Sequence, residues 1–228
     1  MKLLTFFYIS LCGLFLLITA SSKKNMKDDF VINYPSNKVV LDYKSLDANN
    51  FSVPSEECYL EALKGYNTYK NKGFFQKNII TIIDFSLSSR VNRLWIIDII
   101  QNKVLLNTLV AHGKKSGEDY ANQFSNLQES NKSSLGFYAT GEVYQGKHGM
   151  SLKLDGLEKG INDNARTRAI VIHGADYVSP SFLKNNSRLG RSLGCPAVPV
   201  SMCRKIIDII KEKSCIFIYH SSKNRNKC

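Results

Sequence analysis

From Ile79 onward the chain is dominated by short runs of β-branched and aromatic residues that glycines and polar turns separate. IITIIDFS and RLWIIDI have this character, and KVLLNTLVAHG follows a short polar Gln101-Asn102 break. Such runs favour strands, and the short polar break predicts an antiparallel hairpin. LGFYATGEVYQGKHG, MSLKLDGLE, RAIVIHG and a final CIFIYH continue the pattern. The sequence therefore predicts a mainly β domain over residues 79–220.

Helices are predicted on both sides of this strand-rich region. Ser55 can cap a helix whose first turn holds two glutamates, and Gly73 marks its end. Near the C-terminus, VSMCRKIIDIIKEK has the spacing of an amphipathic helix. Its inward positions are predicted to be Met202, Ile206, Ile209 and Ile210. Residues 114–134 are polar and are predicted to form a surface segment.

The N-terminus has the layout of a secretory signal peptide. Lys2 precedes an apolar run, small residues follow it, and no acidic residue occurs before Asp28. Cleavage after Ala20 is expected, and an uncleaved membrane anchor is the alternative and the one expected contact with a membrane. Export would deliver the protein across the inner membrane to the periplasm or cell envelope. The predicted organisation is a signal peptide at 1–20, a linker with little fixed structure at 21–54, an N-terminal helical segment at 55–78, the main domain at 79–220 and a C-terminal tail at 221–228.

Charge and cysteine content exclude some classes of function. The 31 Lys and Arg residues outnumber the 19 Asp and Glu residues, but the excess is dispersed and no nucleic-acid-binding motif is present. This pattern favours weak attraction to anionic polymers over a nucleic-acid site. The six cysteines include no CxxC pair, so a zinc site is unsupported. Disulfide pairing among Cys58, Cys203, Cys215 and Cys228 is left open, as is the oligomeric state.

One cysteine stands out by its neighbours. In GRSLGCPAVP, Cys195 lies between Gly194 and a proline, which predicts a sharp turn that presents the sulfur outward. Such a turn can also aim the amides of Gly194 and Cys195 at one point, where an oxyanion could be bound. A structural thiol, or one half of a disulfide, is the alternative interpretation of Cys195.

A nucleophilic cysteine needs a base, and two histidines qualify. His173 ends the strand RAIVI and precedes Gly174, 22 residues before Cys195. His112 also ends a predicted strand and also precedes a glycine. Residue patterns alone do not choose between these two histidines.

VIHGADYV followed by GRSLGCPAVP resembles the active-site region of the YkuD-like L,D-transpeptidases. The chain is more closely similar to the murein L,D-transpeptidase catalytic-domain family, because it also contains VAHGKKSG, LGFYATGE, YQGKHGMSLKLDGLE and INDNARTRAIVIHG in that order. The wider family has Ser/Thr-His-Gly-Cys with an arginine two residues later. Ser192, Gly194 and Cys195 match this pattern, whereas Leu193 and Ala197 depart from it.

This resemblance implies a fold and a reaction. The fold would be a YkuD-like β-sandwich or barrel of mixed sheets with flanking helices. Cys195 would attack the L,D bond of a peptidoglycan stem peptide, with His173 as the base and a carbonyl near Gly174 orienting it. The thioester would pass to an amine of a neighbouring stem peptide. No metal and no cofactor are implied.

Three residues near the active-site turn or the second histidine are candidates for contacts with substrate. Arg191 is a candidate for binding a substrate carboxylate, with a solvated loop arginine as the alternative. Ser192 could contact substrate or only shape the turn, and His112 could contact substrate or only support a strand end. At the level of function, the alternatives are an L,D-carboxypeptidase or other secreted cysteine peptidase, and an inactive cell-wall-binding module.

Overall fold

The computed structural model describes residues 30–33 and 38–222. Within these residues the chain forms ten strands, numbered in chain order: β1 (Phe30–Asn33), β2 (Lys38–Leu41), β3 (Ile79–Asp84), β4 (Leu94–Asp98), β5 (Lys103–Thr108), β6 (Gly136–Gly146), β7 (Gly149–Gly156), β8 (Val171–Ala175), β9 (Ala197–Pro199) and β10 (Cys215–Tyr219). The helices among these residues are α1 (Glu56–Asn71), α2 (Pro180–Asn185), α3 (Val200–Ile210) and a 3₁₀ turn at Tyr43–Ser45.

Eight of the strands form one mixed sheet in the order β5-β4-β3-β10-β6-β7-β8-β9. The β3–β10 and β8–β9 pairs are parallel, and the other neighbours are antiparallel. Just after edge strand β5, the Ala111 amide donates to the Ala197 carbonyl of edge strand β9 at 2.9 Å, and the reverse bond measures 3.3 Å. These bonds nearly close the sheet into a barrel. The predicted mainly β fold, a barrel of mixed sheets with flanking helices, is confirmed.

Both faces of the central strands are buried. In β10, alternate residues face two different cores: Ile216 packs in the cluster that includes α3, and Phe217 packs in the cluster that includes α1. Strand β3 divides in the same way, with Ile83 on the α3 side and Ile82 on the α1 side. Burial on both faces explains why these strands appear in the sequence as continuous apolar runs.

Helix α1 covers one face of the sheet. The Ser55 side chain caps it by accepting a hydrogen bond from the Cys58 amide at 3.3 Å, as the sequence predicted. The buried face of α1 consists of Cys58, Tyr59, Ala62, Leu63 and Tyr66. Because these side chains share a core with β3, β4 and β10, the helical segment is docked on the main domain.

The prediction of a linker with little fixed structure at 21–54 is wrong for the part that the structure describes. Strands β1 and β2 form an antiparallel hairpin. The Tyr43 hydroxyl donates to the Pro54 carbonyl at 2.8 Å, and Leu46 packs against the α1 core. The linker prediction failed because polar composition does not reveal these long-range contacts. The predicted signal peptide and residues 223–228 of the predicted tail lie outside the described residues.

Two further properties follow from the described residues. Within them, no helix combines the length and the apolar character that crossing a membrane requires. The four cysteines that the structure describes are all free thiols: Cys58, Cys195, Cys203 and Cys215. Pairing of Cys203 with Cys215 is therefore not observed, since both pack in the core. Cys228 lies outside the described residues.

Candidate active site

A cavity of about 520 Å³ opens beside β7 and β8. Cys195 and His173 both line it, and so do Arg191 and Ser192. The strand register explains this meeting, because His173 of β8 pairs with Ala197 of β9, two residues after Cys195. The short parallel β8–β9 pair therefore brings the two chemically active side chains to one wall.

The turn that carries Cys195 is held by hydrogen bonds of its own. The Ser192 hydroxyl donates to the Cys195 carbonyl at 2.6 Å and accepts from the Gly194 amide at 3.0 Å. Gly194 has a φ of +132°, and a Cβ built on it would lie 2.9 Å from the Lys132 carbonyl oxygen. Both the backbone angle and the close approach require glycine here.

This hydrogen-bonding pattern corrects one prediction. The Gly194 amide, which we predicted to face an oxyanion, donates instead to the Ser192 hydroxyl. The sequence could not show this, because the serine and the amide meet only through the shape of the turn. The Cys195 amide is left as the candidate oxyanion donor of the pair. Ser192 thus shapes the turn and also lines the cavity.

His173 is fixed by the backbone beside it. Its Nδ1 lies 3.0 Å from the Gly174 carbonyl oxygen, which can only accept, so Nδ1 carries the proton and Nε2 is left as the basic nitrogen. Burial lowers the pKa of His173, the Gly174 carbonyl opposes that shift, and the nearby His148 and Lys147 lower it further. The imidazole therefore stays neutral, and able to accept a proton, at lower pH than an ordinary histidine.

The Cys195 thiol is half-buried. Burial raises its pKa, while a hydrogen bond from the Val171 amide and the positive charge of Arg168 oppose the increase. The sulfur lies 3.7 Å from the Ala169 carbonyl oxygen, which a protonated thiol can approach as a weak donor. At neutral pH the cavity therefore holds a neutral thiol and a neutral imidazole.

Arg191 and His112 were also predicted as candidate substrate contacts, and only Arg191 lines the cavity. Arg191 lines the cavity, but its guanidinium donates to the Gly117 carbonyl at 2.8 Å and to the Glu118 carboxylate at 2.6 Å. His112 is fully buried and is not part of the cavity wall. Its Nδ1 accepts from Arg93 at 2.8 Å, and its Nε2 lies 3.3 Å from the Gly117 carbonyl oxygen. These contacts fit the alternative interpretation of His112, support of a strand end.

Two cavity residues were not assigned a role from the sequence. His148 stands in the turn between β6 and β7, and its ring stacks on that of His173. Tyr177 follows β8, and burial together with the Cys195 charge raises the pKa of its hydroxyl to about 12. The glycines of GKHG could have predicted a turn, but only the pairing of β6, β7 and β8 shows that this turn lies beside His173.

The described residues contain no cluster of three or more His, Cys, Asp or Glu side chains that could hold a metal ion. The groups that line the cavity include a thiol, the His173 imidazole with a free basic nitrogen, and cationic side chains. Such a set is suited to nucleophilic attack by sulfur on a carbonyl carbon, with the imidazole as proton carrier.

Comparison with known proteins gives one extensive match. The model of the L,D-transpeptidase catalytic domain family matches residues 52–219, which include α1 and the whole eight-stranded sheet. No curated protein matches the chain.

Solved structures with some similarity include a cell shape determining protein and two L,D-transpeptidases. A mutant of the helical cell shape determining protein Pgp2 from Campylobacter jejuni is 16% identical with a TM-score of 0.42, over 64% of this chain and 48% of that one. The L,D-transpeptidase from Mycobacterium smegmatis is 10% identical with a TM-score of 0.39, over 62% and 58%. The catalytic domain of the E. faecium L,D-transpeptidase is 12% identical with a TM-score of 0.39, over 63% and 98%.

The chain thus spans about half to three fifths of the length of the first two of these structures. Their similarity is too distant to carry an inference, whereas the family model covers most of the chain.

Proposed function

The chain belongs to the L,D-transpeptidase catalytic domain family, and we propose that it is an exported, cysteine-dependent acyltransferase acting on peptidoglycan stem peptides. The observation that carries the proposal is the shared cavity of Cys195 and His173. In it, the Gly174 carbonyl holds Nδ1 of His173, which leaves Nε2 to exchange a proton with the thiol.

The first half-reaction forms a thioester. His173 Nε2 takes the proton of the Cys195 thiol as the sulfur attacks the carbonyl carbon of the L,D bond. The tetrahedral oxyanion collapses, the bond to D-alanine breaks, and the imidazolium returns its proton to the leaving amine. The Cys195 amide is the candidate donor to the oxyanion, since the Gly194 amide is engaged by Ser192.

The second half-reaction releases the acyl group from sulfur. The amine of a neighbouring stem peptide attacks the thioester, His173 accepts its proton, and the thiol is regenerated with a 3→3 cross-link formed. Water in place of the amine gives a shortened stem peptide, which is carboxypeptidase activity. No metal enters either half-reaction, because thiol, imidazole and amide groups supply the required chemistry.

Substrate binding and location are part of the same proposal. Arg191 lines the cavity and would bind a stem-peptide carboxylate in exchange for Glu118. Peptidoglycan lies outside the inner membrane, so residues 1–20 would act as the export signal and the protein would work in the periplasm or cell envelope. The formal charge of +12 favours association with an anionic wall.

The deciding experiment is incubation of the purified protein with a disaccharide tetrapeptide, with products identified by mass spectrometry. We expect loss of D-alanine and formation of a cross-linked dimer. Cys195→Ala should abolish turnover and leave the fold intact, while Cys58→Ala, which removes a buried thiol on α1, should retain activity.

Other outcomes of the tetrapeptide experiment would support a different function. Shortened tripeptide without dimer would indicate a carboxypeptidase. Binding without turnover would indicate an inactive wall-binding module. Equal turnover by wild type and Cys195→Ala would contradict the cysteine mechanism.

A further inference from the structure

Arg168 lies just before β8 and binds one distant segment of the chain with both terminal nitrogens of its guanidinium. Nη1 donates to the Ser125 carbonyl at 2.8 Å and to the Ser134 hydroxyl at 2.9 Å. Nη2 donates to the Lys132 carbonyl at 2.6 Å. These acceptors all belong to residues 125–134, part of the segment predicted from its polarity to lie on the surface. The planar guanidinium therefore fixes this irregular segment from one side.

The same segment supports the turn that carries Cys195. The Ser133 hydroxyl donates to the Gly194 carbonyl at 3.0 Å, in a buried position. A Cβ on Gly194 would lie 2.9 Å from the Lys132 carbonyl oxygen and 3.3 Å from Nη2 of Arg168. The backbone immediately before Cys195 thus packs directly on the hydrogen bond between Arg168 and Lys132.

Arg168 also brings an uncompensated positive charge to the cavity wall. Its acceptors are carbonyl and hydroxyl groups, and among the described residues no carboxylate forms a salt bridge with it. Arg166, two residues earlier, is different, because it pairs with the carboxylates of Glu142 and Asp155. Burial raises the pKa of the Cys195 thiol and lowers the pKa of Arg168, and the attraction between the two charges opposes both shifts.

We propose that Arg168 is a positioning residue for the nucleophile: it fixes the Cys195 turn on residues 125–134 and supplies the cation that stabilises the Cys195 thiolate. Within the turn, Leu193 is apolar and 63% exposed, and the charge of Arg191 is paired with the Glu118 carboxylate. This inference rests on the proposed role of Cys195 as the nucleophile.

The test measures thiolate formation without any stem peptide. Full-length protein is treated with iodoacetamide across a range of pH, and peptide mass spectrometry reads alkylation at Cys195 alone. Arg168→Gln removes the charge, and at pH 7 we expect alkylation about tenfold slower than in wild type, because an adjacent cation favours the thiolate. Arg168→Lys keeps the charge and should alkylate within about twofold of the wild-type rate. Arg166→Gln is the matched control and should match wild type.

A second measurement, amide hydrogen exchange, tests whether Arg168 holds residues 125–134 in place. Arg168→Lys should speed amide hydrogen exchange in residues 125–134, since one ammonium cannot replace the fork of donors, and Arg166→Gln should leave this exchange unchanged.

Arg168→Gln alkylation at the wild-type rate would overturn the charge role. If that variant does not fold, a folded Arg168→Lys that alkylates about tenfold slower with unchanged exchange in residues 125–134 would overturn it equally, since both its charge and its turn are then intact. Unchanged exchange in Arg168→Lys would overturn the fixing role. Because the alkylation needs no substrate, these outcomes stand apart from success or failure of the tetrapeptide reaction.

Discussion

The imidazole rings of His148 and His173 stack with their centroids 4.7 Å apart and their planes 27° from parallel. His173 is buried in β8, whereas His148 is exposed in the turn between β6 and β7. The stack restricts the ring whose Nδ1 is already held by Gly174. The β6–β7 hairpin therefore forms an outer wall that restricts the His173 ring and lowers its pKa.

The first prediction concerns the pH dependence of activity. Since burial, His148 and Lys147 lower the pKa of His173, the acidic limb of kcat/KM should have its midpoint below 6.5, the ordinary histidine value. Lys147→Gln removes one positive neighbour and should move this limb to higher pH. The measurement is a pH profile of the tetrapeptide reaction. Lys159→Gln removes a lysine outside the cavity and should leave the profile in place, and a limb unmoved by Lys147→Gln would contradict the prediction.

The second prediction concerns Gly194. Its φ of +132° and its contact with the Lys132 carbonyl oxygen exclude a side chain. Gly194→Ala should lower the free energy of unfolding by about 1–3 kcal/mol and reduce activity more than tenfold, since the Cys195 turn must shift. Gly160→Ala is the control, because Gly160 also has positive φ but faces open space, and its activity should stay near wild type. Urea unfolding and product formation measure the two effects, and full activity in Gly194→Ala would argue against a rigid turn.

The third prediction concerns Arg191. If it binds a substrate carboxylate, Arg191→Met should raise KM about tenfold and change kcat little, because the lost interaction is a charge-assisted hydrogen bond. Arg188 also pairs with Glu118 but is not part of the cavity wall, so Arg188→Met should leave KM near the wild-type value. Steady-state kinetics on the tetrapeptide distinguish the two variants. An equal rise in KM in both would assign the effect to Glu118 and not to substrate.

The fourth prediction concerns stability. Burial and the Arg93 charge lower the pKa of His112 to about 4, so between pH 6.5 and 4 the unfolded chain binds a proton that the folded protein does not. The His112 contribution to stability is therefore complete above pH 6.5 and is lost as the pH falls toward 4, by about 3 kcal/mol in total. Urea unfolding at pH 7 and pH 4.5 should show a larger loss for wild type than for His112→Gln. Equal losses would show that His112 is not buried in its neutral form.

Most of the strands and the start of α1 could be predicted from local sequence patterns. The β-branched runs predicted β3, β4, β5, β6, β7, β8 and β10, because side chains that suit a pleated, buried surface occur in contiguous stretches. Ser55 also marked the start of α1 in the sequence, because a capping side chain acts within the first turn of its own helix. Strand β9 carried no signal, because three residues are too few to show a period. In α3 the predicted inward positions Ile206 and Ile210 are buried, whereas Met202 and Ile209 are only partly buried against the same core and Cys203 and Ile207 are buried in addition.

Local sequence patterns predicted only part of the candidate site. The glycine and proline around Cys195 indicated a turn, and the family resemblance selected His173. Residue patterns could not separate His173 from His112, since both follow an apolar, strand-forming run and precede a glycine, although the structure places His173 in the middle of β8. Burial separates them, because His112 is enclosed with Arg93 while His173 lines the cavity.

The sequence by itself determined which stretches become strands, where α1 begins, and that a cysteine stands on a glycine-bounded turn, because each of these depends on neighbours along the chain. Only the tertiary structure decided that β3 lies beside β10, that Ala111 bonds to Ala197, and that Arg168 supports the Cys195 turn through residues 125–134. These relations join residues far apart in sequence through hydrogen bonds that require the tertiary fold, so no local pattern encodes them.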